Sequence, residues 1–232
     1  MENVNQINQE VLKLWEHTFD NDEEVFMPLI YPPIKKGVLL FVSLNPSFSL
    51  KGFRTIMKDT PYSYLNPKEF FHWRNREKFD LETAQAIEAL ARCRYAFFEK
   101  FRDIASYTAM EWEHIDLFFY RQTGQNDFKR QIYSAGGLSE FGRKQLELSK
   151  ELIVKACPKA IVVANAHASE LFIQEFKPKF DEEQGYYIIP LNDKVVPVFL
   201  ASMLTGQRAM DRYSYERLRW YIKRALADVG HG

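Results

Sequence analysis

Residues Val38-Leu39-Leu40-Phe41-Val42-Ser43-Leu44 form a near-continuous apolar run that stops abruptly at Asn45-Pro46-Ser47. A run this short and this uniform has no solvated face, so it reads as a strand buried on both sides, the kind found in parallel sheets. Pro46 ends it, because proline cannot donate to a ladder and pushes the residue before it out of the helical region.

Helical and strand patterns alternate along the rest of the chain. Val4, Ile7, Val11, Leu14 and Trp15 fall at helical spacing, which predicts an opening amphipathic helix over 2–19. Asp80 is placed to cap a helix running to about Ile104, with Ala84, Ile87, Leu90, Ala91 and Phe98 turned inward. Ser139 is placed to cap another that carries Leu146, Leu152 and Ile153, and shorter helices are predicted over His167–Phe176 and Ser214–Ala227. Further strands are predicted at Ile115–Tyr120, Ala160–Ala164, Tyr186–Ile189 and Val195–Leu200. Residues 48–79 show no clean period and read as a long irregular connection. This alternation predicts an α/β fold, three layers α/β/α around a central mostly parallel sheet. With no repeat or Gly/Ser linker in 232 residues, one domain over 1–232 is expected, the first helix packed on it.

Composition narrows the function. Lysine plus arginine and aspartate plus glutamate both number 31, so any polyanion site must come from local segregation of charge. No apolar run approaches the roughly 20 residues that cross a bilayer, and the opening Met-Glu-Asn-Val lacks the basic start of a secretory signal. A cytoplasmic, monomeric protein with no membrane contact is expected. Two cysteines, Cys93 and Cys157, exclude four-cysteine metal centres, and His17, His72, His114, His167 and His231 show no paired ligand spacing. No metal and no cofactor are expected. Neither a P-loop nor a glycine-rich dinucleotide motif nor a nucleophile elbow occurs, and Ser134 to Ser139 reads as a loop ending in a helix cap.

Ligands of parallel sheets bind beyond the carboxyl ends of the strands. Those positions hold Ser43 to Phe48, then Asp116 and Phe119 to Gln122, then Asn165-Ala166-His167, and last Ser202 to Arg208. Here Phe41-Val-Ser-Leu-Asn45-Pro46-Ser47 resembles the first motif of the uracil-DNA glycosylase superfamily. It is most like the Asn-Pro branch typified by mismatch-specific and single-strand-selective enzymes. Val162 to Ser169 is similar to the segment that family places after its third strand, and Ser202 to Gly206 falls where it has its second signature. Ser43 and Ser47 stand in place of two glycines, and Met203 in place of a histidine or asparagine donor.

The resemblance implies hydrolysis of the N-glycosidic bond of a deaminated or damaged base in DNA, a repair activity needing no metal. It implies that Asn45 positions water, that Leu44, Pro46, Ser47 and Phe48 build a base pocket, and that Asp116 and Asn165 contact the base. An ionised Asp116 only accepts hydrogen bonds, so it would favour a base that presents N–H groups. Met203, Leu204, Thr205, Gly206, Gln207, Arg208 and Arg212 would form the loop that presses into DNA. Phe48 or Phe53 could supply a stacking face. The plain structural alternative for Asn45-Pro46 is a strand-ending turn in which asparagine bonds nearby backbone.

Charge segregation agrees with a polyanion partner. Residues 51–79 hold seven bases against three acids, and residues 204–226 hold six against two, a net of +4 in each. Phe70, Phe71, Trp73 and Phe79 interleave with the first segment, as in surfaces that stack on unpaired bases. Alternatively, these charges line a solvated helix face. A catalytically inactive nucleic-acid or nucleotide-binding protein of the same fold is the rival reading, and an enzyme of free nucleotides is a third.

Overall fold

The computed structural model describes residues 2–20, 24–206 and 208–229. In chain order the elements are α1 (Glu2–Thr18), β1 (Leu39–Ser43), α2 (Leu50–Met57), α3 (Pro67–Phe70), α4 (Leu81–Arg94), α5 (Glu99–Thr108), β2 (Trp112–Asp116) and α6 (Gln125–Ile132). There follow β3 (Tyr133–Ser134), β4 (Gly137–Leu138), α7 (Glu140–Ala156), β5 (Ala160–Ala164), α8 (Ala166–Phe176), β6 (Lys179–Asp181), β7 (Tyr186–Leu191), β8 (Lys194–Ala201) and α9 (Arg212–Val229). Short 3₁₀ turns lie at Trp73–Lys78 and Ala96–Phe98. The chain groups into two compact units, one of residues 1–33, 45–96 and 118–149, the other of 34–44, 97–117 and 150–232.

The second unit is an α/β structure. Its sheet has the order β2-β1-β5-β8-β7-β6, parallel through β8 and closed by the antiparallel strands β7 and β6. All five residues of β1 are buried, as are all five of β5. That is the outcome expected of central strands covered on both faces. The order runs outward from β1 in opposite directions to β2 and to β5. Because such crossovers are right-handed, the reversal puts α5 on one face and α8 on the other. Helix α9 packs with α5. The Tyr215 hydroxyl donates to Asp103 Oδ2 at 2.5 Å, and Lys100 Nζ lies 4.5 Å from the Tyr215 ring centroid. Burial and the Asp103 carboxylate both push the Tyr215 hydroxyl well above its ordinary pKa.

The first unit is built from helices and two aromatic clusters. Trp15, Phe19, Tyr120 and Phe141 form one; Phe26, Phe48, Phe53, Phe70, Phe71 and Phe79 form the other. Buried amides fasten the extended segments between the helices. Asn8 donates to Tyr31 O at 2.8 Å and accepts from Tyr31 N at 3.0 Å, while Gln145 Oε1 accepts from Phe119 N and Tyr120 N. Buried backbone groups need such partners, and Gln85 Nε2 also donates to Tyr31 O at 2.9 Å.

Four expectations are corrected. The helix from Asp80 does start there, with Asp80 accepting from Thr83 N. It stops at Arg94, where Tyr95 turns extended, and α5 follows as a separate helix instead of one helix to Ile104. The second strand is Trp112–Asp116, not Ile115–Tyr120. Leu117 to Tyr120 is apolar because it is buried, yet Phe119 and Tyr120 give their amides to Gln145 and not to a ladder. Residues 48–79 contain α2, α3 and a 3₁₀ turn, not an irregular connection. Ser134 to Ser139 contains the hairpin β3–β4 before the Ser139 cap, whose hydroxyl accepts from Gly142 N.

Gly142 marks a close approach within the first unit: a Cβ there would sit 2.4 Å from Ile132 O. Alanine is the better helix former. Gly142→Ala is nevertheless expected to destabilise the protein by about 1–3 kcal/mol, the cost typical of overpacking. A lowered midpoint in urea denaturation checks this, and an unchanged or raised midpoint refutes it.

Candidate functional site

The carboxyl edge of the parallel strands gathers most of the positions predicted to bind. Leu44 leaves β1, Asp116 ends β2, Asn165 follows β5, and Ser202 to Arg208 follow β8. Ser43 and Asp116 face each other in register, and Leu117 N donates to Ser43 O at 2.9 Å.

That register makes a buried polar cluster. Ser43, His114 and Asp116 are each at most 5% exposed. His114 Nε2 lies 3.6 Å from Asp116 Oδ1, an electrostatic contact beyond hydrogen-bond length. Phe97, Phe98 and Phe101 surround the His114 ring, with centroids 5.0–6.1 Å away. Ser43 Oγ is buried with no hydrogen-bond partner among the described residues. In the sequence Ser43 stands as a replacement for glycine, and His114 as one of five histidines without paired ligand spacing. The period-two pattern His114–Asp116 becomes visible only when the strand is set at 112–116.

Asn165 serves as the N-cap of α8, its Oδ1 accepting from Ala168 N at 3.0 Å. After β8, Met210 N donates to Met203 O at 2.9 Å and closes a loop that turns at Gly206, where φ is +90°. Glycine enters that conformation without strain. Leu204 belongs to the core, Met203 and Thr205 are half-buried, and Gly206 and Arg208 are exposed. Gln207 lies outside the described residues. Arg212 pairs with Glu216 one helical turn on, Nε to Oε1 at 2.9 Å.

In the first unit, Asn45 to Phe48 form a loop laced to residues 120–122. Asn45 Nδ2 donates to Gln122 O at 2.8 Å, to Pro46 O at 3.1 Å and to Tyr120 O at 3.3 Å. Gln122 N returns a bond to Pro46 O at 3.0 Å. Only the NH₂ of a carboxamide can donate to carbonyls, so these contacts fix which way the amide faces. Its Oδ1 accepts no hydrogen bond from the described residues and is held as a fixed acceptor. Phe48 stacks on Phe26 with centroids 3.9 Å apart and planes 12° apart, and Ser47 is exposed.

The basic segments divide differently from expectation. Phe71 and Trp73 are core residues, 0% and 1% exposed, so neither is a stacking surface. In α9, Arg219 and Lys223 lie over the Tyr107 ring at 4.5 and 4.8 Å, and Arg219 also reaches Asp103. Those charges fasten α9 to α5. Among the described residues no helix is long and apolar enough to cross a membrane, and no three His, Cys, Asp or Glu side chains cluster to hold a metal ion. Compared with known proteins, the chain matches no family model, and no curated protein is significantly similar to it.

Proposed function

We propose that the protein is a cytoplasmic DNA N-glycosylase of the uracil-DNA glycosylase-like fold, hydrolysing the bond between a deaminated or damaged base and its sugar. The Asn45 amide carries this reading. A water that donates its O–H to the fixed Oδ1 needs only orientation, because the sugar passes through an oxocarbenium-like state that is already electrophilic. The water oxygen bonds to C1′ and releases one proton to solvent, the C1′–N bond breaks with its electron pair on the base, and the base takes up a proton from solvent. Extruding the nucleotide costs a few kcal/mol, least in an unpaired or mismatched strand. The mostly parallel sheet, with the Asn-Pro motif directly after β1, is the architectural support.

Two observations favour a second reading, a nucleic-acid binder without turnover. Met203 offers no donor to a departing base, and the Asp116 side chain is only 4% exposed. Labelled oligonucleotides carrying uracil, hypoxanthine or a G·T mismatch, single- and double-stranded, separate the two after alkaline cleavage. The glycosylase reading expects strand scission on at least one of them. Salt-dependent binding with no abasic product from any, by folded protein, overturns it in favour of the binder.

A further inference from the structure

The geometry points to a track for single-stranded nucleic acid along α2, built on Lys51, Arg54, Lys58 and the ring of Tyr64. The inference rests on the reading that DNA is the partner, but it concerns a surface that excises nothing.

Lys51, Arg54 and Lys58 follow one another at three- and four-residue steps, so they form one stripe along the helix surface. At 1.5 Å per residue, the stripe runs about 10 Å along the axis. All three side chains are exposed, and none has an acidic partner among the described residues. Over residues 50–68 the only acid is Asp59. Two grooves flank the stripe and share Arg54 and Lys58 as a common wall. One, of about 520 Å³, is also lined by Lys51 and Thr55; the other, of about 450 Å³, by Ser63, Tyr64 and Asn66. No acidic residue lines either.

Tyr64 is 80% exposed, the most exposed large hydrophobic side chain described. Its loop is fixed in place: Thr60 N and Oγ1 bond Met57 O, Ser63 N bonds Thr60 O, and Leu65 N bonds Tyr62 O. Arg94 Nη1 reaches Ile56 O and Lys58 O at 3.2 and 2.7 Å, satisfying carbonyls at the end of α2 and adding a fourth cation beside Lys58. A cationic rail beside a held, outward-facing ring matches how proteins grip single strands, with phosphates on the rail and a base on the aromatic face. A duplex keeps its bases stacked inside and leaves Tyr64 without a partner. An acidic polypeptide would use the rail and ignore the ring.

The experiment uses the full chain and a fluorescent 12-mer of thymidylate, single-stranded and paired with its complement, over a range of salt. Thymidylate is a normal base, so binding is read whether or not the protein excises anything. For the single strand, log affinity is expected to fall with log salt by about 0.7 per phosphate neutralised, so K51Q/R54Q/K58Q should flatten the slope by about 2. Tyr64→Ala should weaken single-strand binding by about 5- to 100-fold and leave duplex binding unchanged. Melting curves confirm that these surface variants stay folded. An unaltered slope in the triple variant overturns the proposal, as does wild type that fails to bind at low salt. Unchanged binding by Tyr64→Ala, or displacement by polyglutamate as effective as by unlabelled thymidylate, overturns the nucleic-acid assignment of the groove.

Discussion

Glu88→Gln is expected to cost about 3–5 kcal/mol of folding free energy, the penalty for stranding one partner of a buried ion pair. Arg121 and Glu88 meet through Nη2 and Oε1, with side chains 2% and 11% exposed. Arg121 Nε also donates to Met27 O at 3.1 Å, and its guanidinium carbon lies 4.9 Å from the Phe71 ring centroid and 5.6 Å from that of Phe53. The neutral amide of glutamine keeps the shape and removes the charge, leaving a guanidinium among phenylalanine rings. Whole domains are stable by only about 5–15 kcal/mol, so this loss should shift the urea midpoint strongly or prevent accumulation of folded protein. Arg121→Met should cost a similar amount by stranding the carboxylate. Combining Glu88→Leu with Arg121→Met should recover most of the loss, since apolar replacements of a whole buried pair are often neutral. In the cycle of Glu88→Leu, Arg121→Met and their combination, a double variant as unstable as the sum of the singles would show that the pair is not coupled.

The buried strands β1 and β5 stood out because unbroken apolar runs have no other place to go. The caps Asp80 and Ser139 were legible because a short polar side chain before an apolar period has one common use. In contrast, β2 was hidden by Glu113 and His114, charged or titratable residues buried in the middle of the strand. Their burial depends on partners distant in sequence, as when Lys35 N donates to Glu113 Oε1. The apolar Leu117 to Tyr120 looked like the strand instead, because a buried extended segment and a ladder strand bury the same side chains. Only the buried amide of Gln145 distinguishes them, and no local pattern announces it.

The aromatic residues of 48–79 failed for a related reason. Phe, Trp and basic residues interleave both in stacking surfaces and in helices whose cations face water while rings face inward. Phe71 and Trp73 took the second course. Tyr64, with no basic residue within three positions on the N-terminal side, drew no notice, although it is the ring left in water. Most of the basic residues in this segment do face water, while Phe71 and Trp73 do not.

For Asn45, the turn reading and the proposed catalytic role rest on one geometry. The side chain bonds nearby backbone as a turn asparagine does, and those bonds are what fix its oxygen. Asn45→Ala is therefore expected to act twice. Removing three donor contacts should cost about 1–3 kcal/mol of stability. On whichever base the wild type releases, losing the oriented acceptor should lower turnover by about 100-fold or more. Asn45→Asp separates the two effects. Its carboxylate turns an acceptor toward the carbonyls of Tyr120 and Gln122, so it should be less stable than Asn45→Ala at neutral pH. A protonated carboxyl restores one donor, which means the folded state raises that group's pKa above its unfolded value of about 3.9. The restored stability is then fully present below the unfolded pKa and lost as pH rises through the folded one. Urea midpoints from pH 3 to 7 should show the Asn45→Asp deficit widening with pH, with no such trend in Asn45→Ala. A deficit independent of pH would mean that Nδ2 does not hold the loop. If Asn45→Ala, assayed where it is fully folded, keeps turnover within about threefold of wild type, the oxygen positions no water.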